Sequence, residues 1–137
     1  MDTQRFIELG EGFGDVFELC ELIRTNRSRI CRAFILEKDA AEEAVSLAVA
    51  LFPAGGGHFM PVYICREGIR AGSARQRMFT DALDEAGAGP VTLKVRPSSV
   101  FGSPEEYYRH LTGVLRANRL LPAPELMLRA RRQMPPL

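Results

Sequence analysis

The sequence predicts an α/β (α+β) domain built on a mixed, mainly antiparallel central sheet with helices packed on it. A chain of 137 residues with 46% hydrophobic side chains can bury one sizeable core. The stretch from Ala44 to Phe52 carries no charge on either face, as expected of a central strand covered on both sides. After a short opening strand, the apolar patterns run in the order helix, strand, strand, strand, helix, strand, helix.

Length and composition also bound the organisation of the chain. We expect residues 1–121 to form a single α/β domain and residues 122–137 to form a C-terminal tail that contains proline and arginine. The longest apolar run, Ala44 to Ala54, is too short to cross a bilayer, and no signal peptide is visible at the N-terminus. Three cysteines without a close pair are typical of reduced core residues. These features predict a cytoplasmic protein with no membrane partner.

The opening of the chain predicts a strand followed by a helix. Phe6, Ile7 and Leu9 indicate a short strand that ends at Gly10, and Asp15 is placed to cap the helix after it. Apolar residues at helical spacing predict the buried face of that helix, namely Val16, Leu19, Cys20 and Ile23.

Three further strands are expected to form an antiparallel meander. They run from Ile30 to Leu36, from Ala44 to Phe52 and from Phe59 to Cys65. The glycine-rich stretch from Pro53 to Gly57 is a clear loop signal between the last two. Pro61 cannot donate a ladder hydrogen bond, which predicts an edge or a bulge at that position.

The second half of the chain carries the clearest helix signals. Ser73 with Gln76 resembles a capping box, and Gly87 is a good terminator for the helix between them. Ser103, followed by a proline and two acids, begins a last helix that we expect to end near Leu121.

A strand and a tail complete the prediction for the second half. Between the two helices, the stretch from Val91 to Val95 alternates between core-facing and water-facing side chains. The prolines of the tail leave room only for a short helical turn between Glu125 and Gln133.

Charge is unevenly distributed along the chain. The net charge is +1, and the side chains of the tail contribute +2 of it through Arg129, Arg131 and Arg132 against Glu125, so the remaining chain carries −1. A near-neutral body offers no electrostatic basis for nucleic-acid binding, which normally needs a basic face. The tail could contact an acidic partner or simply be solvated.

One candidate ligand site combines two loops that follow strands. Two arginines could clamp a small anion, with a glutamate that orients one of them, and a glycine-rich loop could add backbone amides. The alternatives are a surface ion pair in the first segment and a plain flexible turn in the second. The residues concerned are Arg66, Glu67 and Arg70 in the first segment and Gly10, Gly12 and Gly14 in the second.

Neither a metal site nor a nucleophile is predicted, and we expect no cofactor. His58 and His110 are far apart in the sequence, and the cysteines lack ligand spacing. On a regular strand, Cys65 and His58 would be roughly 23 Å apart, too far to share a hydrogen bond.

The order helix, three-strand meander, helix, strand resembles the core of restriction-endonuclease-like enzymes. Such enzymes use an acid near the second core strand and an acid-x-lysine pair on the third to hold magnesium and activate water. Here these strand positions hold Leu51, Phe52, Tyr63 and Ile64. The resemblance therefore implies a degenerate, non-catalytic relative.

Four stretches resemble a family of small uncharacterised proteins from Gram-positive spore-forming bacteria. The likeness covers most of residues 4–122 and implies a cytoplasmic protein of unknown function. Some members carry the label methylthioribose kinase, but this chain has neither a phosphate-binding loop with its lysine nor a set of metal-binding carboxylates, so no catalytic residue transfers. The stretches are Arg5 to Gly12, Phe59 to Ile69, Arg96 to Ser98 and Gly113 to Asn118.

Taken together, the sequence favours a non-enzymatic binding or interaction protein whose partner is a protein or a small anionic ligand. The alternative is an enzyme, or a degenerate nuclease-like protein, that acts on a phosphorylated ligand or a nucleic acid. Self-association into a homodimer through the tail is also expected, with folding of the tail onto its own domain as the other outcome. The apolar residues of the tail are Leu126, Met127, Leu128, Met134 and Leu137.

Overall fold

Five strands and three helices make up the part of the chain that the structure, a computed structural model, describes: residues 3–9, 14–37, 44–55, 57 and 59–122. Two short 3-10 helices lie in the connections: Arg27–Arg29 follows the first helix, and Ser98–Val100 precedes the last one. In chain order the elements are β1 (Thr3–Glu8), α1 (Gly14–Thr25), β2 (Ile30–Glu37), β3 (Ala44–Leu51), β4 (Phe59–Arg70), α2 (Ala74–Glu85), β5 (Pro90–Lys94) and α3 (Pro104–Ala117).

The strands form one mixed sheet in the order β1-β4-β3-β2-β5. β2, β3 and β4 are the antiparallel meander that the sequence predicts, whereas β1 pairs with β4 and β5 pairs with β2 in parallel. The fold-class prediction is confirmed. β3 is the central strand, and every residue from Val45 to Leu51 is buried, because helices cover both faces of the sheet.

Each face of the sheet has its own apolar core. α1 and α2 pack on one face, where the four predicted core residues of α1 meet Phe79, Ala82 and Leu83 of α2. α3 packs on the other face through Tyr107 and Leu111, together with Leu115. None of the helices in the described part of the chain is long and apolar enough to cross a membrane.

The predicted N-caps of α2 and α3 are confirmed. The Ser73 hydroxyl accepts a hydrogen bond from the Gln76 N–H, and the Ser103 hydroxyl accepts one from the Glu106 N–H. Asp15, in contrast, does not precede α1 as a cap: it lies in the first turn, after Gly14, and is buried. Its carboxylate is held there by an ion pair with Arg75 of α2.

The last helix ends four residues earlier than predicted, at Ala117 instead of Leu121. Arg119 adopts a left-handed conformation with φ of 59°, which stops the helix. The Arg119 N–H then donates to the Arg116 carbonyl and the Leu120 N–H donates to the Leu115 carbonyl, as in a Schellman motif. Leu121 is buried after this turn.

β4 differs most from the prediction, because it continues from Cys65 to Arg70 as a strand where a loop was expected. Ile69 and Arg70 pair with Val45 and Ala44 of β3, and an irregularity in the register accommodates the residues between Cys65 and Ile69. The Ser46 hydroxyl donates to the Arg66 carbonyl within this irregularity.

Pro61 is the other correction in β4. It lies in an inner strand, opposite Arg5 of β1, and not at an edge or a bulge. The pairing of β4 with β3 stops at Ala50 opposite Val62, one residue short of Pro61. The missing N–H therefore costs no ladder bond to β3.

Candidate functional site

A groove with a volume of about 670 Å³ runs between α1 and the part of the sheet where the edge strand β1 pairs with β4. Its apolar lining comes from the end of β1, from β4 and from the outer side of α1. Three polar residues of α1 stand along one wall. The lining residues are Leu9, Tyr63, Phe17 and Leu22, with Glu18, Glu21 and Thr25.

The groove exists because the helices leave the β1 edge of the sheet partly uncovered. Ile7 of β1 lies opposite Tyr63 of β4 in the parallel register, so the two side chains share the face on which α1 packs. Leu9 and Tyr63 pack against the core of that face but stay only partly buried. An apolar strip of sheet therefore remains open beside α1.

Phe17 is the residue that makes the groove unusual. The core face of α1 is used by other positions, so the Phe17 ring points away from the core and is 60% exposed. Because an aromatic ring of this size is a large apolar area to leave in water, it marks a contact surface when it adjoins other apolar groups.

The wall of the groove is acidic. Glu18 and Glu21 are three residues apart on α1, which places both carboxylates on neighbouring turns, and both are exposed. The Thr25 hydroxyl is turned back to the Glu21 carbonyl. An apolar floor with carboxylates along one side suits a segment that combines apolar and basic side chains.

The predicted anion site is only partly described by the structure. Arg66 is half-buried, and its Nε lies 3.2 Å from a carboxylate oxygen of Glu8 on β1. The Tyr108 hydroxyl donates to the same oxygen. Arg70 is exposed at the end of β4. Gly14 begins α1, whereas Gly10, Gly12 and the Glu67 side chain lie outside the described residues.

Cys65 and the neighbouring Asp15 are buried, whereas Arg75 is partly exposed. Burial raises the pKa of the Cys65 thiol to about 12, and the nearby Asp15 carboxylate adds to that shift while Arg75 opposes it. Asp15 in turn pairs with Arg75 between the first turns of α1 and α2. Cys65 is therefore a protonated core thiol at neutral pH and lacks the character of a nucleophile.

A second, smaller groove of about 320 Å³ lies on the opposite side of the sheet, between the end of β5 and α3. Lys94, Arg96 and His110 line it together with two valines, and the His110 ring packs 5.0 Å from the ring of Phe101. Its positive lining is the chemical opposite of the acid-walled groove and suits a small anion.

Sequence reasoning missed both grooves. Phe17 was the available signal, because it is a large apolar residue outside the helical stripe of α1. Its proximity to Leu9 and Tyr63 depends on the parallel pairing of β1 with β4, which no local pattern encodes. Arg66 likewise meets Glu8, a partner far away in the sequence.

The structure thus defines a mixed α/β domain with an apolar, acid-walled groove at one edge of its sheet. A family model described as "Domain of unknown function (DUF7147)" matches residues 2–121, and the chain belongs to that family. The match covers the predicted domain without the tail and assigns no activity. No curated protein and no solved structure matches the chain.

Proposed function

We propose that the protein is a non-enzymatic interaction protein whose acid-walled groove binds an apolar and basic segment of another protein. The observation that carries this proposal is the exposure of Phe17 beside the apolar strip formed by Leu9 and Tyr63. The groove has the size of a specific binding site, since such sites usually enclose about 300–1,000 Å³.

Burial of the apolar lining supplies the affinity. Each apolar side chain that a partner buries contributes roughly 25 cal/mol per Å² removed from water. Aromatic residues at the centre of an interface commonly dominate the binding energy, and Phe17 and Tyr63 are the aromatic residues of this groove. An amphipathic helix can dock in such a groove by laying its apolar face on the apolar floor.

The carboxylates select the partner. Glu18 and Glu21 stay at the rim, where charges mainly affect the association rate and the choice of partner. A segment with lysine or arginine beside its apolar face is therefore favoured over an acidic one.

An interaction protein is favoured over the enzyme alternative because two carboxylates, those of Glu8 on β1 and Asp15 on α1, form ion pairs with arginines. Glu8 engages Arg66 and Tyr108, while Asp15 engages Arg75. The positions that would carry metal-binding acids in a nuclease-like enzyme are apolar or aromatic: Leu51 and Ile64 are core residues, and Tyr63 lines the groove.

The test is fluorescence polarisation of a labelled amphipathic peptide of leucine and lysine, with a leucine and glutamate peptide as its counterpart. We expect the full-length protein to bind the basic peptide more tightly than the acidic one. Phe17→Glu should weaken binding of the basic peptide about tenfold or more, which corresponds to about 1.4 kcal/mol.

Val100→Glu is the matched control, because Val100 is 59% exposed, nearly as much as Phe17, but lies outside the groove. It should bind the basic peptide like the unmodified protein. Equal binding of both peptides, or equal losses in the two variants, would contradict the proposal.

A further inference from the structure

We infer that the acid-walled groove is occupied in the resting protein by the chain's own C-terminal segment, residues 123–137, and that a partner binds by displacing it. This inference rests on the proposed function and names the occupant of the same groove. The segment follows the last described residue, Pro122, directly.

The point where this segment leaves the domain is fixed beside β1. The Pro122 carbonyl accepts a hydrogen bond of 3.0 Å from Nε2 of Gln4. The side-chain oxygen Oε1 of Gln4 accepts one of 2.8 Å from Nε of Arg116 on α3. Gln4 is buried, and so is Leu121, so the segment starts from an anchored position on the strand whose far end lines the groove.

The segment is long enough to reach the groove within one chain. From Gln4 to Leu9, β1 spans roughly 17 Å, and passing from one face of the sheet to the other adds about 10 Å. Fifteen residues, 123–137, span up to about 50 Å when extended. About eight extended residues, 123–130, cover this path of roughly 27 Å, so Met134 and Leu137 come within reach of the groove.

The chemistry of the segment matches that of the groove. Its apolar residues suit the floor, and its arginines suit the wall formed by Glu18 and Glu21. The apolar residues are Leu126, Met127, Leu128, Met134 and Leu137, and the basic residues are Arg129, Arg131 and Arg132.

Because the segment belongs to the same chain as the groove, a weak intrinsic affinity is sufficient to keep the groove occupied. A short connection gives an effective concentration in the millimolar range, so an intrinsic Kd of about 0.1 mM would leave the groove roughly nine-tenths occupied. The same segment of a second copy has no such advantage at micromolar protein concentrations. We therefore assign the groove to the segment of the same chain.

Trypsin digestion of the full-length protein, with mass spectrometry of the cut after Arg132, tests the inference. We expect the cut to be about tenfold slower in the unmodified protein than in Phe17→Glu. Val100→Glu should be cut like the unmodified protein. Glu21→Arg should accelerate the cut, because a positive charge in the wall of the groove repels the arginines of the segment.

Two results would overturn the inference. One is an equal rate of cutting in the unmodified protein and in Phe17→Glu. The other is protection that increases with protein concentration while light scattering shows a dimer, because the occupant would then be a second copy.

A full-length variant with Met134 and Leu137 both replaced by serine separates this inference from the proposed function. We expect it to bind the leucine and lysine peptide more tightly than the unmodified protein, by up to about tenfold. Equal binding to both proteins would overturn the inference and leave the proposed function standing. Binding to neither would overturn the proposed function.

Discussion

Burial sets the protonation behaviour of individual side chains in this protein. Burial raises the pKa of Tyr108, and its hydrogen bond to Glu8 adds to the shift. Burial lowers the pKa of Arg116, which contacts Gln4. The thiol of Cys20 also has a raised pKa because it is buried. These residues hold the two cores and the chain end in place, so their titration affects stability.

Alkaline pH should destabilise the fold through Cys65. Its pKa is raised from 9.0 to about 12, so between these values the unfolded thiol loses its proton while the folded one keeps it. The free energy of unfolding should therefore be fully retained below pH 9 and fall as the pH rises towards 12, by at most about 1.4 kcal/mol per pH unit.

Urea denaturation of the unmodified protein and of Cys65→Ala, at several pH values from about 8 to about 10.5, would measure this contribution. Titration of Cys20 and of the tyrosines is common to both proteins and cancels in the comparison. We expect the difference in the free energy of unfolding between the two proteins to shrink above pH 9. Parallel pH profiles would show that Cys65 is not shifted.

At the scale of elements, α2 and α3 end in the same way with different residues. α2 ends with Gly87 in the left-handed conformation, with φ of 74°, and hydrogen bonds close the turn from Gly87 to Asp84 and from Ala88 to Leu83. α3 places Arg119 in the equivalent position. A side chain there is strained, because its Cβ approaches the carbonyl.

Arg119→Gly should therefore stabilise the protein by roughly 0.5–1 kcal/mol, after subtraction of the greater freedom of glycine in the unfolded chain. Urea denaturation with an unchanged m value is the measurement. Gly87→Ala is the counterpart and should destabilise by about 1 kcal/mol, since a Cβ at Gly87 meets no atom and the cost is conformational. An unchanged or reduced stability in Arg119→Gly would contradict this account of the helix end.

Local sequence signals were sufficient to predict the elements whose boundaries depend on nearby residues. The caps at Ser73 and Ser103, the terminator Gly87 and the uncharged strand β3 were all predictable, because each depends on its own residues. The continuation of β4 beyond Cys65 was not predictable from local signals, because the charged residues and the glycine that follow Cys65 are poor strand formers. Pairing with β3 overrides these weak local preferences.

At the scale of the whole molecule, the site could not be predicted because it lies where distant elements meet. The acid-walled groove needs the parallel pairing of β1 with β4 and the placement of α1 over them. The sequence contained its parts, including Leu9, Phe17 and Tyr63, but not their juxtaposition. The expected homodimer through the tail, with folding of the tail onto its own domain as the other outcome, rests on composition alone and stays a prediction.

The two faces of the molecule differ in what they offer a partner. The α1 side presents the apolar, acid-walled groove, and the α3 side presents the smaller groove with Lys94, Arg96 and His110. A basic amphipathic segment is attracted to the first and repelled by the second. The position at which a basic peptide binds is therefore as informative about the site as the affinity of that peptide.

Nuclear magnetic resonance mapping of the labelled full-length protein with the leucine and lysine peptide tests the central claim most directly. We predict that backbone amide shifts concentrate at Leu9, Phe17, Leu22 and Tyr63, and that Phe17→Glu abolishes them while Val100→Glu does not. Shifts centred on Lys94, Arg96 and His110, or shifts that survive in Phe17→Glu, would contradict the claim that the acid-walled groove is the binding site.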